Sequence, residues 1–196
     1  MSEKITLSHG SGGRQSAELI KKVFVSRFRM SGPLTDSAIL EEEGSLQAFT
    51  TDSYVVDPVF FPGGNIGKLA ICGTVNDLAV SGAVPHFISA SFIIEEGFPL
   101  DELEQIAGSM KEEAEEASVK IVTGDTKVVG RGKCDRIFIT TAGTGKLNPE
   151  FRHISTGAMV KEGDRIIVNG PLGNHAVAIL GARNNLSFSS PVVSDC

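Results

Sequence analysis

The spacing of apolar positions changes repeatedly along the chain, and each change marks a new element. In RQSAELIKKVFVSRF the residues Ala17, Ile20, Val23, Phe24 and Phe28 recur three to four positions apart. That period predicts an amphipathic helix, opened by the loop HGSGG. LQAFTTDSYVV is dense in β-branched and aromatic residues and predicts a strand with an aspartate at its end. NIGKLAICGTVNDLAVSGA returns to the helical period, with Ile66, Leu69, Ala70 and Gly73 along one face and small Ser81 and Gly82 near its end. HFISASFIIEE predicts a strand. FPLDELEQIAGSMKEEAEEA predicts a helix with Pro99 and acidic residues in its first turn, where a helix start favours both. Its expected buried face is Leu100, Leu103, Ile106, Ala107 and Met110. VKIVTGDTKVV and DRIFITTAGTG predict two further strands.

Strands and helices that alternate in this way predict an α/β or α+β layered domain, with α+β the class expected here. NPEFRHISTGAMVKEGD reads as a linker, and RIIVNG followed by PLGNHAVAILGAR predicts the strand and helix that begin another domain. Roughly 30 residues from Asp164 onward are too few to bury a core of their own. The expected organisation is therefore a first domain over residues 1–155 and, over residues 156–196, a linker with the start of a truncated second domain.

Composition narrows the classes. Of 196 residues, 41% are hydrophobic and 21% charged, with 22 Gly against 8 Pro, which excludes general disorder and implies many tight turns. A net charge of -6 without Lys/Arg blocks excludes the electrostatic footprint of a nucleic-acid or anionic-membrane binder. No stretch reaches the ~18 apolar residues of a membrane span. Three dispersed cysteines, Cys72, Cys134 and Cys196, form neither a disulfide framework nor a metal spacing, so a reduced, cytosolic setting is expected.

The chemistry concentrates in short acidic motifs at element ends: TDSA (Asp36), TTDSY (Asp52), VNDLAVSGA (Asp77) and VTGDTK (Asp125). Taken singly, each aspartate reads equally well as a cap or turn former. Taken together they read as ligands of a hard cation such as Mg²⁺, which is commonly held by a few carboxylates and substrate phosphates. Asp77 tips the balance, because a carboxylate on the apolar side of a helix has no capping role and calls for a cation. SHGSGGR offers consecutive backbone amides to a phosphate just ahead of a helix, although it matches neither common glycine-rich phosphate motif. Lys127 could set a positive charge beside such phosphates; alone it reads as a solvated strand-end lysine. His9 and His175 sit in glycine-containing loops, whereas His86 and His153 read as surface or strand-edge residues and Cys72 as core.

LSHGSGGR, TTDSYVVDPVFFPGGNIGKLAICGTVNDLAVSGAVP and IVTGDTKVV resemble the HypE family of hydrogenase expression/formation proteins. That family lies within the aminoimidazole ribonucleotide synthetase-like superfamily of ATP-dependent enzymes. Thiamine-monophosphate kinase and selenophosphate synthetase share the scattered aspartates, but DPVFFPGGNIGKLAICGT favours the HypE type. The resemblance implies a homodimer closed through a shared β barrel, with ATP between two domains under the glycine-rich segment. It implies Asp36, Asp52, Asp77 and Asp125 as Mg²⁺ ligands and Gly10, Ser11, Gly12 and Gly13 as the closing loop. Asn76, Thr126 and Lys127 would line the phosphates, with Lys127 catalytic. The implied reaction is ATP-dependent dehydration of a carbamoyl group on a C-terminal cysteine to a thiocyanate, whose cyanide goes to the iron of a [NiFe]-hydrogenase. The implied partners are a HypF-type carbamoyltransferase and an iron-carrying HypC–HypD scaffold. Family tails read Pro-Arg-Ile/Val-Cys, whereas this chain reads VVSDC, so Cys196 is not expected to be the carrier. Family members more often have Gly where this chain has Ala176. Two alternatives stand beside this reading: another ATP-dependent kinase or synthetase of the superfamily, and a non-catalytic nucleotide-binding dimerisation module.

Overall fold

The structure is a computed structural model and describes residues 4–196. The chain divides into two compact units, one ending at Leu34 and the other beginning at Thr35. In the first, a single turn of 3-10 helix at Leu7–Gly10 leads through Gly13 into α1 (Arg14–Leu19). The helix widens into a π turn over Ile20–Val25 and closes with α2 (Ser26–Phe28). A helix is present where RQSAELIKKVFVSRF predicts one, but its expected apolar face, Ala17, Ile20, Val23, Phe24 and Phe28, is exposed and Ser16 is its buried residue.

The second unit is built on a five-stranded sheet in the order β1-β2-β7-β5-β6. Its strands are β1 (Ala38–Glu42), β2 (Ser45–Tyr54), β5 (Ala83–Glu95), β6 (Lys120–Val129) and β7 (Ile137–Leu147). A small hairpin of β3 (Phe60–Phe61) and β4 (Gly64–Asn65) precedes α3 (Ile66–Val80). Every sheet pairing is antiparallel except β5 with β6, which the helix α4 (Leu100–Glu116) joins as a parallel crossover. The mixed sheet and its helices are the α+β arrangement that the alternating periods imply.

The period of two along β2 decides which face is covered. Leu46, Ala48, Thr50 and Tyr54 are buried while Gln47, Phe49, Thr51 and Ser53 are exposed. β7 follows the same rule through Ile137, Ile139, Thr141 and Leu147. Against the inner face pack Ile66, Ile71 and Leu78 of α3 and Ile106 and Met110 of α4, all within 2% of full burial. Asn65 caps α3: its Oδ1 accepts from the amides of Gly67 and Lys68, and its Nδ2 donates to Ser109 Oγ of α4 at 2.8 Å. One side chain thus fixes the start of α3 and its distance from α4.

Two expectations change. The buried stripe of α4 is Ile106, Met110 and Ala114, spaced by four, with Leu103 half-buried and Leu100 and Ala107 exposed. Ala107 is rotated about 100° from Ile106, and only one four-residue row meets the sheet. RIIVNG forms no strand: Ile166 and Ile167 are 96% and 88% exposed, and the segment joins no ladder among the described residues. A strand exists only through its ladder, so an apolar run without a neighbour stays irregular. The helix expected after it is present as α5 (Asn174–Asn184), and Arg183 anchors it by donating to the Asp57 carbonyl from Nε at 2.9 Å and Nη2 at 2.7 Å.

Candidate acidic site on the helix face of the sheet

Asp77 sits near the end of α3, and hydroxyl groups draw the other elements to it. Ser37, just before β1, donates to the Asp77 carbonyl at 3.0 Å, and Ser81 donates to the same oxygen at 2.8 Å. Thr50 Oγ1 on β2 lies 2.9 Å from Asp77 Oδ2 and 2.8 Å from the Asp36 carbonyl. One threonine therefore holds the Asp36 loop and the Asp77 side chain together. Asp52 follows two residues later on the same face of β2.

Beneath Asp52 runs a chain of buried hydroxyls. Tyr54 Oη donates to Asp52 Oδ2 at 3.2 Å and lies 3.2 Å from Thr74 Oγ1, which is 2.5 Å from Thr141 Oγ1. Thr141 in turn lies 3.5 Å from the Ala70 carbonyl. Tyr54 has one proton; giving it to Asp52 leaves Thr74 to donate to Tyr54 and Thr141 to donate to Thr74 at 2.5 Å in preference to its long 3.5 Å contact with the Ala70 carbonyl. With Asp52 ionised, the three hydroxyls therefore point one way, toward the carboxylate. Burial, foremost, pushes the Tyr54 phenol up, so it stays a donor at neutral pH. The chain fits because residue 73 is glycine: a Cβ there would strike Tyr54 Oη and its ring.

The electrostatics show that the carboxylates share one region. Burial pushes the Asp77 carboxyl above its usual range, and the charges of Asp52 and Asp36 push the same way against the opposing hydrogen bond from Thr50. Asp77 and Asp52 are half-buried and Asp36 is exposed, so the full burial of Asp77 implied by its place on the apolar side of α3 is not realised. Among the described residues no three His, Cys, Asp or Glu side chains close on a single metal position. Mg²⁺ needs no such cage, since it keeps waters and takes one or two carboxylates with substrate phosphates. Hard oxygen donors that converge without closing fit an ion shared with a phosphate.

The other expected residues lie elsewhere. Across the sheet Asp52 is in register with Thr141, Ala90 and Gly124, whereas Asp125 is in register with Ser91, Thr140 and Ser53. Asp125 is thus about 14 Å from Asp52, three strand spacings away, and on the opposite face. Thr126 and Lys127 follow it, exposed, on edge strand β6, and Asn76 is exposed beside Asp77. Within one chain the structure groups Asp36, Asp52 and Asp77 and leaves Asp125, Thr126 and Lys127 apart. Gly10, Ser11, Gly12 and Gly13 belong to the first unit, where Ser11 Oγ donates to the Ser8 carbonyl and the Gly12 amide donates to Ser16 Oγ.

His9 Nδ1 accepts from the Thr6 amide at 3.1 Å, His153 Nδ1 lies 2.9 Å from the Glu150 carbonyl, and His86 stacks on Phe87. His175 Nδ1 meets Ser194 Oγ at 2.9 Å, and Ser194 donates to Cys196 Sγ at 3.0 Å. Cys72 is half-buried rather than core. It donates to Glu113 Oε2 at 3.5 Å, Lys68 holds the other oxygen at 2.9 Å, and burial with the Glu113 charge pushes the thiol up to about 12.

Carboxylates gathered at the end of a small-residue helix, over a mixed sheet with one parallel crossover, define a recognisable class. The chain belongs to the AIR synthase-related proteins: the family described as "AIR synthase related protein, N-terminal domain" matches residues 34–147. Within that class the likeness is to HypE. The chain is 54% identical to the carbamoyl dehydratase HypE of Rhodobacter capsulatus, over 99% of this chain and 58% of that protein. It superposes on HypE in a HypE–HypF complex with a TM-score of 0.79 at 46% identity, over 90% of this chain and 57% of the other. The corresponding values for a HypE bound to ATP are 0.66 and 44%, over 98% and 57%. The chain thus spans a little over half the length of the relatives it matches.

Proposed function

We propose that this chain is the nucleotide-binding part of an ATP-dependent carbamoyl dehydratase that supplies cyanide for [NiFe]-hydrogenase assembly. The observation that carries the reading is the group of Asp36, Asp52 and Asp77, held together by hydroxyls although their charges oppose one another. Such an arrangement is relieved by a cation, and the likeness to a HypE bound to ATP supports Mg²⁺, the usual companion of a triphosphate, as that cation.

The reaction balances as R–S–C(O)NH₂ + ATP → R–S–C≡N + ADP + phosphate. The amide oxygen is a poor leaving group until it carries the γ-phosphoryl; loss of phosphate and both N–H protons then leaves the nitrile. Mg²⁺, when bound, neutralises charge on the β- and γ-phosphates. Asp36, Asp52 and Asp77 would hold it, joined by Asp125, with Thr126 and Lys127, from the second copy of a dimer, since within one chain Asp125 lies three strands away on the opposite face. The amides of Gly10, Ser11, Gly12 and Gly13 would cover the phosphates, Asn76 and Thr126 would line them, and Lys127 would set its ammonium beside the transferred group.

A homodimer belongs to the same proposal. The sheet face away from α3 exposes Phe49, Phe87 and Ile93, each about 40% accessible, and β6 leaves a ten-residue edge unpaired. A second copy would cover both and close a barrel. Further partners are a HypF-type carbamoyltransferase, as in the HypE–HypF complex, and the HypC–HypD scaffold, all in the cytoplasm. Residues 156–196, with the unpaired RIIV run, would open the second domain over the nucleotide.

Calorimetric titration of Mg-ATP into the full-length protein tests the site. Asp77→Asn and Asp125→Asn are each expected to weaken binding at least tenfold, and unchanged affinity in both sinks the assignment. ADP release that depends on a carbamoylated C-terminal peptide tests the reaction.

A further inference from the structure

We propose that Tyr54 and Thr50 set which cation the acidic site accepts, by occupying one oxygen of each of two carboxylates with a hydrogen bond so that the other is the better ligand for the ion. The inference rests on the cation reading given above. Tyr54 Oη donates to Asp52 Oδ2 and Thr50 Oγ1 to Asp77 Oδ2, so in both aspartates Oδ2 carries a hydroxyl and Oδ1 does not. Neither hydroxyl is free to leave. Tyr54 is 9% exposed and backed by Thr74 and Thr141, both fully buried, while Thr50 is 5% exposed and shares its single proton between Asp77 Oδ2 and the Asp36 carbonyl in a three-centre contact. Gly73 supplies the space for the phenol, and any side chain there would expel it.

A carboxylate held by one oxygen is biased toward coordination through the other. That suits Mg²⁺, which is small, octahedral and commonly takes one oxygen from each carboxylate. It disfavours Ca²⁺, which fills six to eight positions and often takes both oxygens of a carboxylate. The hydroxyls therefore act as positioning residues that penalise the larger ion without touching either ion themselves. Serine at position 50 would preserve the donor, whereas valine at 50 or phenylalanine at 54 would release the second oxygen with little change of shape.

The experiment is calorimetric titration of a non-hydrolysable ATP analogue into full-length protein in excess Mg²⁺, in excess Ca²⁺ and in EDTA. Wild-type protein is expected to bind the analogue more tightly with Mg²⁺ than with Ca²⁺. Tyr54→Phe and Thr50→Val should each narrow that ratio about threefold or more, the scale of one hydrogen bond to a charged group, and Thr50→Ser should restore it. A variant that merely loosened the fold would weaken both complexes by the same factor. Equal weakening in Tyr54→Phe and Thr50→Val, or an unchanged ratio, overturns the inference and leaves the cation reading standing. Equal wild-type affinity in EDTA and in Mg²⁺ overturns the cation reading itself.

Discussion

Replacing Gly73 by alanine sets two opposed effects against each other in one residue. In an exposed helix interior the change is worth about 1 kcal/mol in favour of alanine. Here the new methyl would meet the hydroxyl and two ring carbons of Tyr54, and the phenol has no room to retreat. Overpacking a filled interior costs about 1–3 kcal/mol, and displacing the phenol from Asp52 and Thr74 adds about 1–2 more. The net expectation is a loss of about 1–4 kcal/mol, or about 3–12 °C in Tm for a chain of this size. Gly108, at the middle of α4 with nothing near its would-be Cβ, is the control: Gly108→Ala should gain about 1 kcal/mol. Urea and thermal unfolding followed by circular dichroism measure both. Tyr54→Phe should offset part of the damage, giving a coupling of about 0.5 kcal/mol or more in the double-mutant cycle. A Gly73→Ala protein as stable as Gly108→Ala, with no coupling to position 54, would refute the threaded phenol.

The Asp77 carboxyl, pushed up by burial and by its acidic neighbours, gives a pH dependence of defined sign. A raised carboxyl favours the folded state below its unfolded value, and this advantage is lost as pH rises through the folded value. In cation-free buffer at pH 7 Asp77→Asn should therefore be more stable than wild type, and the gap should shrink as pH falls through the raised folded value toward the ordinary carboxylate range. A constant gap in urea titrations across that range would contradict it. At the thiols, a Cys72 group near 12, some three units above its ordinary value, leaves roughly a thousandfold less thiolate than an ordinary cysteine at pH 8. Iodoacetamide should therefore spare Cys72, and peptide mass spectrometry showing early alkylation there would refute the buried Glu113 contact.

Much of the second unit can be read from its periods. The β-branched and aromatic runs LQAFTTDSYVV and DRIFITTAGTG become two neighbouring strands with one buried face, and NIGKLAICGTVNDLAV becomes α3 with Asn65 as its cap. Periodicity locates a face but not the row that meets a partner, so Leu100 and Ala107 were expected inside and lie outside. RIIVNG has the composition of a strand and lacks the neighbour that would make it one. At the site, Asp36, Asp52 and Asp77 stand out as motifs, yet the groups that gather them, Ser37, Thr50, Tyr54, Thr74 and Thr141, are hydroxyls whose roles depend on contacts up to 71 positions apart. One signal was present: Thr50, Asp52 and Tyr54 share a parity on β2, polar groups on a face otherwise given to Leu46 and Ala48. Register also carries information no motif holds, for it separates Asp125 from Asp52 by three strands within a single chain.

Tyr54 is the only tyrosine among these 196 residues, and there is no tryptophan. All intrinsic ultraviolet emission beyond that of phenylalanine therefore comes from one ring, hydrogen-bonded to Asp52. A chromophore in that position makes the chain its own optical sensor. Any event that redistributes charge at Asp52 changes the light from the phenol with no label attached, and no second fluorophore elsewhere in the chain dilutes the signal.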